Sequence, residues 1–447
     1  MDEDFLKELA KTAEQSSTID QELYDNFHVK RGLRNQDGTG VLVGLTYIGD
    51  VIGYKQEDGQ KVPVEGDLLY RGISIKKLVD GFQKDKRQGF DETTFLLLFG
   101  KLPNEEELGK FSSVIAKLRG LPENFTEDML LKLKGKDIMN MLARCVLALY
   151  TLDKNADDAS ILNILKQSIN LIAKFPTIIA YSYQSMRYNF QNMNLSIRHP
   201  EKALSTAENF LYMVKGDNRY TQLESEVLDL CLVLHAEHGG GNNSSFTMHV
   251  VSSSGTDTYS AIAAAIGSLK GPLHGGANSR VIGMIDDLKN SVKDYSEEEV
   301  KNYLIKVLKK EVYDKSGKIY GFGHAVYTKS DARAVLLKEK VRALAKEQNS
   351  LEEFKLYETI EKLVPEVFCE FKGVTKKLFP NVDFYSGFVY RQLGIPQSIF
   401  TPLFAMARIT GWCAHRIEEL VSSRKIIRPA YKNVAKLNGY KLLKDRS

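Results

Sequence analysis

The helical spacing of the apolar residues limits the folds that this chain can adopt. Apolar side chains recur at intervals of three and four along most of its 447 residues, with Pro or Gly near the segment ends, as at Gly271-Pro272. The segments with this spacing are 92–99, 137–152, 159–173, 204–215, 222–238, 257–270, 296–312, 331–346 and 397–421. The pattern predicts a mainly α fold.

The N-terminal part has a different pattern. Residues 1–40 are polar and predict an arm or a partner contact. In the stretch 41–72, Val41, Val43 and Leu45 alternate with other residues, which predicts a small β region of two or three short strands. Further along, a Lys-rich region from 287 to 377 is compatible with an inserted helical domain, although charged helices are more often simply solvated faces.

Composition narrows the classes of function. The formal net charge is only +4, too small for a chain that would bind nucleic acid by its overall field. The first residues are acidic where a signal peptide would be basic, and no apolar run reaches the length of a membrane span. A cytoplasmic location is therefore the expectation.

Four of the eight histidines fall between residues 235 and 274. His238 continues the apolar face of a predicted helix and then meets a run of glycines, where the helix must end. A histidine in such a place is most often a hydrogen-bonded core residue. The HAEH spacing of His235 and His238 also suggests a metal site, but a third ligand is missing from the pattern, so no metal is expected.

Two further histidines are framed by glycine. His274 lies in GPLHGGAN, in a turn just before a predicted helix, where the positive helix terminus favours a neutral ring. His324 lies in GFGHAVY, a loop that brings backbone N–H groups and an imidazole against a polar group, or forms a plain tight turn. The motif lacks the third glycine of a dinucleotide site and the lysine of a P-loop.

One carboxylate and three arginines complete the candidates. Asp383 is surrounded by apolar residues, and a dry carboxylate has the raised proton affinity that suits a base. Arg408 interrupts an apolar helix and needs an anionic partner there. Arg333 and Arg428, each taken alone, are explained by solvation or an ion pair.

In these blocks the chain resembles the citrate synthases, of the si type. The resemblance rests on motifs that occur in the family's order and spacing. They are LLYRGISI at 68–75, HAEHGGGNNSSFT at 235–247, GPLHGGAN at 271–278, GFGHAVY at 321–327, SDARA at 330–334, NVDFYSG at 381–387, MARITGWCAHRIEE at 406–419 and IIRP at 426–429.

The resemblance implies a role for each of these residues. The catalytic trio falls on His274, His324 and Asp383. The oxaloacetate contacts fall on His238, Asn242, Arg333, Arg408 and Arg428, and coenzyme A is recognised around Gly321, Phe322 and Gly323. The implied fold is a multi-helical homodimer with an arm (1–40), a large domain (41–284 and 389–447) and a small domain (285–388).

The implied activity is the condensation of acetyl-CoA with oxaloacetate and water to give citrate and coenzyme A, the entry to the tricarboxylic acid cycle, without a metal or redox cofactor. The nearest alternative is a 2-methylcitrate synthase that uses propionyl-CoA, since one methylene changes discrimination by only ~1–3 kcal/mol. A His-Glu metal hydrolase and a non-catalytic helical scaffold are alternatives from other classes.

Overall fold

The computed structural model describes residues 2–35, 37–58, 60–216, 219–422, 425–437 and 439–445. In this part of the chain, α-helices dominate and one small sheet lies near the N-terminus. The helices are α1 Glu3–Ser17, α2 Gln21–Asn26, α3 Ile75–Lys84, α4 Phe90–Phe99, α5 Glu105–Leu118, α6 Ile138–Tyr150, α7 Ile161–Phe190, α8 Thr206–Lys215, α9 Gln222–His235, α10 Asn243–Ser252, α11 Thr258–Lys270, α12 Ala277–Ser291, α13 Glu297–Leu308, α14 Ala332–Glu347, α15 Leu351–Lys372, α16 Val382–Gln392 and α17 Phe400–Ser422. The predicted mainly α fold with a small N-terminal β region is confirmed.

The sheet consists of three antiparallel strands in sequence order: β1 Gly49–Glu57, β2 Gln60–Tyr70 and β3 Ile73–Ser74. The strands begin later than the alternation predicted. Residues 41–48 belong to no strand, and the side chains of Leu42 and Leu45 are 84% and 89% exposed. The alternating pattern is therefore that of an extended segment whose backbone pairs with no strand.

Helix α17 organises the larger part of the fold. It is buried along almost its whole length and packs against α4, α7, α9, α10 and α11. Helices α12 to α16 pack mainly on one another, and α14 also contacts α9, β2 and α3. The loops before α14 and α16 therefore face the ends of α9 and α10, and the candidate site lies between them.

Local signals explain several helix boundaries. Helix α9 begins with a capping box in which Thr221 and Glu224 satisfy each other's backbone N–H groups. It ends at His235, three residues before the predicted end, so His238 lies in the following turn and not on the helix. Helix α12 begins directly after the His274 turn, as predicted. None of the described helices carries an apolar stretch long enough to cross a bilayer.

Candidate active site

Five of the predicted site residues lie close together: His238, His274, His324, Asp383 and Arg408. The rings of His238 and His324 lie 5.0 Å apart, centroid to centroid, in an edge-to-face arrangement. The Phe404 ring centroid lies 6.4 Å from that of His274 and 4.6 Å from the guanidinium carbon of Arg408. The charge of Arg408 acts on the pKa values of His238, His274 and Asp383, which places these groups around one buried cation.

The protonation of His274 follows from its hydrogen bonds. Its Nε2 accepts the backbone N–H of Ser244 at 3.3 Å and lies 3.0 Å from the Ser244 hydroxyl oxygen. Trp412 donates its indole N–H to the same hydroxyl oxygen at 3.1 Å. Burial, with help from Arg408, lowers the pKa of His274 to about 4. The ring is therefore neutral, and its Nδ1 carries the proton that it offers to a ligand.

His324 is held by the backbone of its own loop. Its Nδ1 accepts the N–H groups of Val326 and Tyr327 at 3.0 and 3.1 Å. Burial, assisted by Arg333, lowers its pKa to about 4. A neutral ring whose Nδ1 accepts must carry its proton on Nε2. The two catalytic candidates thus offer one N–H each.

Asp383 lies in the first turn of α16, two residues after the N-cap residue Asn381, whose side-chain oxygen accepts the Asp383 N–H at 3.0 Å. Asn381 also donates its side-chain amide to the carbonyl of Gly323 at 3.0 Å, which ties this turn to the His324 loop. Gly323 and Gly321 have φ values of +83° and +82°, which favour glycine. Burial raises the pKa of the Asp383 carboxyl to about 6, against the opposing effect of Arg333 and Arg408.

The two buried arginines of the site differ in their partners. Arg333 donates through Nε and Nη2 to both oxygens of Asp331, at 3.0 and 2.8 Å. Arg408 is 0% exposed and donates only its Nε, to the carbonyl of His235 at 2.7 Å. Its Nη1 and Nη2, like Nε2 of His238, have no hydrogen-bond partner among the described residues. The two unpaired guanidinium nitrogens are donors that match a carboxylate ligand.

Arg428 is the predicted contact that the structure does not bring to the cleft. It is exposed, and the neighbouring Ile427 donates its N–H to Ser253 at the far end of α10. Helix α10 puts that end about 15 Å from the His274 contact at its start. Asn242, in contrast, lies at the site, where it accepts from the Ser244 hydroxyl at 3.0 Å.

Three groups at the site were not predicted from the sequence. Ser244 orients His274, Asp331 pairs with Arg333, and Arg34 of the N-terminal arm lowers the pKa of His324 by its charge. Ser244 and Asp331 lie inside the family motifs at 235–247 and 330–334, but the motifs do not show which side chains these two residues hold in place. Arg34 lies in the arm, where the sequence offers no signal.

A small cavity of about 50 Å³ adjoins His324 on the side of Gly323. Lys376 and Lys377 also line it. Among the described residues, His235 and His238 belong to no group of three possible metal ligands. The group of possible metal ligands found in the described part of the chain is His249, His415 and Glu418, behind the turn that carries His238.

Comparison with known proteins gives a consistent result. The family model "Citrate synthase, C-terminal domain" matches residues 37–430. The chain is 36% identical to the citrate synthase of Deinococcus radiodurans over 86% of its length and 93% of that protein. It is 32% identical to the 2-methylcitrate synthase of Shewanella oneidensis over 81% of its length and 87% of that protein.

A solved structure gives the same fold. It is that of citrate synthase from Thermoplasma acidophilum, a ternary complex with carboxymethyl coenzyme A and oxaloacetate. It matches with a TM-score of 0.76 and 26% identity, and the match covers 94% of this chain and 99% of that one.

Proposed function

The chain belongs to the citrate synthase family, and from that premise we propose that its cleft condenses acetyl-CoA with oxaloacetate. The enzyme is an acyltransferase that converts the acyl group to an alkyl group on transfer. The observation that carries the assignment of residues is the set of unpaired buried donors on Arg408 and His238, opposite a carboxyl group of raised pKa.

Oxaloacetate binds first in this proposal. One of its carboxylates accepts from Nη1 and Nη2 of Arg408, which pairs two donors that otherwise lie unsatisfied. His238 and Asn242 hold the remainder of the dianion, and Arg333 contributes its charge from the Asp331 pair. Binding thereby places the keto carbon near His324.

Asp383 then acts as the base towards the thioester methyl group. A methyl group beside a thioester is a very weak acid, so the carboxylate needs help. Nδ1–H of His274 donates to the thioester oxygen as negative charge develops there, giving an enol or enolate. That carbon attacks the keto carbon, Nε2–H of His324 donates to the new alkoxide, and water hydrolyses the citryl thioester to citrate and coenzyme A.

These steps need no metal or redox cofactor. Coenzyme A lies along Gly321, Phe322 and Gly323 in this proposal, near the cavity lined by Lys376 and Lys377, whose charges suit phosphate groups. The product places the enzyme at the entry to the tricarboxylic acid cycle, and a cytoplasmic location stays a prediction.

A homodimer is part of the proposal. Arg428 is exposed and distant from the cleft of its own chain, so it reaches an oxaloacetate only from a second copy or after a movement of its segment. The exposed apolar side chains of Leu42, Leu45 and Tyr47 support a second copy. Sedimentation of the purified protein tests this, and a monomer at micromolar concentration would contradict it.

Release of free thiol from acetyl-CoA and from propionyl-CoA, each with and without oxaloacetate, tests the activity. We expect release only with oxaloacetate, and at least about tenfold faster with acetyl-CoA. Faster reaction with propionyl-CoA would move the assignment to a 2-methylcitrate synthase. Release without oxaloacetate would indicate a hydrolase.

A further inference from the structure

A buried row of charged side chains lies behind the turn that carries His238. We call it the buried row; it consists of Glu237, His415, His249, Glu418 and Glu419. His415 is at its centre, with Nε2 3.0 Å from Oε1 of Glu237 and Nδ1 3.1 Å from Nε2 of His249. His249 in turn has its Nδ1 2.7 Å from Oε2 of Glu419.

The distances fix where protons lie. Each imidazole has a carboxylate at its outer nitrogen, so each carries a proton there, and only one more proton fits between the two rings. Burial alone would lower the pKa of His415, but Glu237 and Glu418 raise it to about 9. Burial and the charge of His415 lower the pKa of His249. His415 is therefore the imidazolium of the pair.

Neighbouring elements supply the remaining charges that face the row. The negative charge of Glu237 favours the protonated form of Arg408 in α17 and of Arg71, which follows β2. Glu418 has the same effect on Arg71. Glu418 accepts the backbone N–H of Tyr47 at 2.7 Å. The imidazolium and the two arginines thus balance the three carboxylates.

The row is fixed to the oxaloacetate turn through Glu237. The same Oε1 that faces His415 accepts the N–H of Gly239, on the far side of His238. Tyr70 donates its hydroxyl to the carbonyl of Glu237 at 3.1 Å. Gly411 of α17 donates its N–H to Ala236, and a Cβ at Gly411 would lie 2.3 Å from Oε2 of Glu237. The space beside Gly411 is therefore filled by the Glu237 carboxylate, and a larger residue at 411 would displace it.

We propose that Glu237, His415 and His249 are positioning residues that hold the His238 turn in the conformation that binds oxaloacetate. None of them touches the substrate, so they act through His238, and the inference rests on the proposed function. Nε2 of His249, Nδ1 of His415 and Oε2 of Glu418 also lie within 4.8 Å of one another. A divalent cation there would occupy the place of the proton that the two rings share.

The variant Glu237→Gln separates binding from chemistry. Loss of a charge-assisted hydrogen bond weakens the hold on the turn, so we expect the KM for oxaloacetate to rise roughly tenfold or more, with kcat at saturation changed less than about threefold. Glu237→Asp keeps the negative charge, so its KM for oxaloacetate should rise less than that of Glu237→Gln. The matched control is Asp229→Asn, another buried carboxylate, which accepts the N–H groups of Gly89 and Phe90 at the start of α4.

His249→Gln tests the same row from its half-buried end, should Glu237→Gln fail to fold. We again expect the KM for oxaloacetate to rise while kcat changes little, but the rise in KM should be smaller than in Glu237→Gln. Thermal unfolding of each variant separates lost binding from lost fold, and a KM rise in Asp229→Asn equal to that in Glu237→Gln would assign the effect to stability alone.

The split between KM and kcat is a readout that a purely structural role would not move. General destabilisation lowers the amount of active enzyme and leaves the KM for oxaloacetate unchanged.

Two results would overturn the inference: a KM for oxaloacetate in Glu237→Gln that matches wild type, or one equivalent of divalent metal in the purified protein by elemental analysis. Calorimetry with oxaloacetate alone keeps this test separate from the proposed function. An enzyme that binds oxaloacetate and releases no thiol refutes the reaction without refuting the row.

Discussion

The two sides of the cleft each contain a buried arginine, and the two arginines differ in their hydrogen-bond partners. On the α17 side, Arg408 is fully buried and leaves two donor nitrogens unpaired. On the α14 side, Arg333 is 4% exposed and is gripped by Asp331 through two hydrogen bonds. An unpaired guanidinium holds affinity for an incoming carboxylate, whereas a paired one contributes to the fold.

The same contrast extends to the histidines. His238, on the α17 side, has an unpaired buried nitrogen, while His324 and Asp383, on the α14 and α16 side, lie on loops tied together by Asn381. One side therefore supplies binding energy for the dianion, and the other holds the base and the proton donor in place.

The largest effect is expected for Asp383→Asn. Loss of the base should lower kcat by at least about 10³-fold, because a positioned base contributes roughly 10²–10⁴-fold to the rate. The protein should stay folded. Steady-state kinetics check this, and kcat within tenfold of wild type would remove Asp383 from the mechanism.

Arg408→Met is expected to be the next largest. We predict a loss of about 100-fold in kcat/KM for oxaloacetate. The loss of stability should be smaller than that caused by Arg333→Met, since Arg408→Met removes one hydrogen bond, to the carbonyl of His235, and no direct contact with a carboxylate. Kinetics and chemical denaturation of the same sample check both parts. Strong destabilisation would show that Arg408 is structural.

Arg333→Met should affect stability more strongly than Arg408→Met does. It leaves Asp331 buried without its cation, so we expect about 3–5 kcal/mol of lost stability. Denaturation with urea measures this. A loss of stability no greater than that of Arg408→Met would break the comparison between the two sides.

The smallest predicted effect is on pH dependence. The pKa of Asp383 is raised to about 6, so the base form accumulates as pH rises through about 6, and kcat/KM for the acyl-CoA should rise there. His274 and His324, with pKa values of about 4, are already neutral in that range. A pH–rate profile checks this, and an acid limb near pH 4 would contradict it.

The sequence predicted the helices well because their apolar spacing reports burial directly. It placed the strands too early, because residues 42–47 lie exposed and pair with no strand, although Val41, Val43 and Leu45 alternate with other residues. It extended α9 to residue 238, since apolar spacing continued into a turn. Both errors arise where local pattern and tertiary packing disagree.

The site was predicted through motifs, which locate reactive side chains but not the groups that hold them. The contact between His415 and Glu237 joins residues 178 positions apart, and that between Asp331 and Val382 joins residues 51 positions apart. Such pairs are set by helix packing, which no local spacing reveals. The exposure of Arg428 likewise follows from where its segment is anchored.

The most direct test of the division of labour between the two sides is calorimetric binding of oxaloacetate to Asp383→Asn and Arg408→Met without acyl-CoA. We predict a Kd within about threefold of wild type for Asp383→Asn and at least about 100-fold weaker binding for Arg408→Met. Equal loss of binding in both variants, or full binding by Arg408→Met, would contradict it.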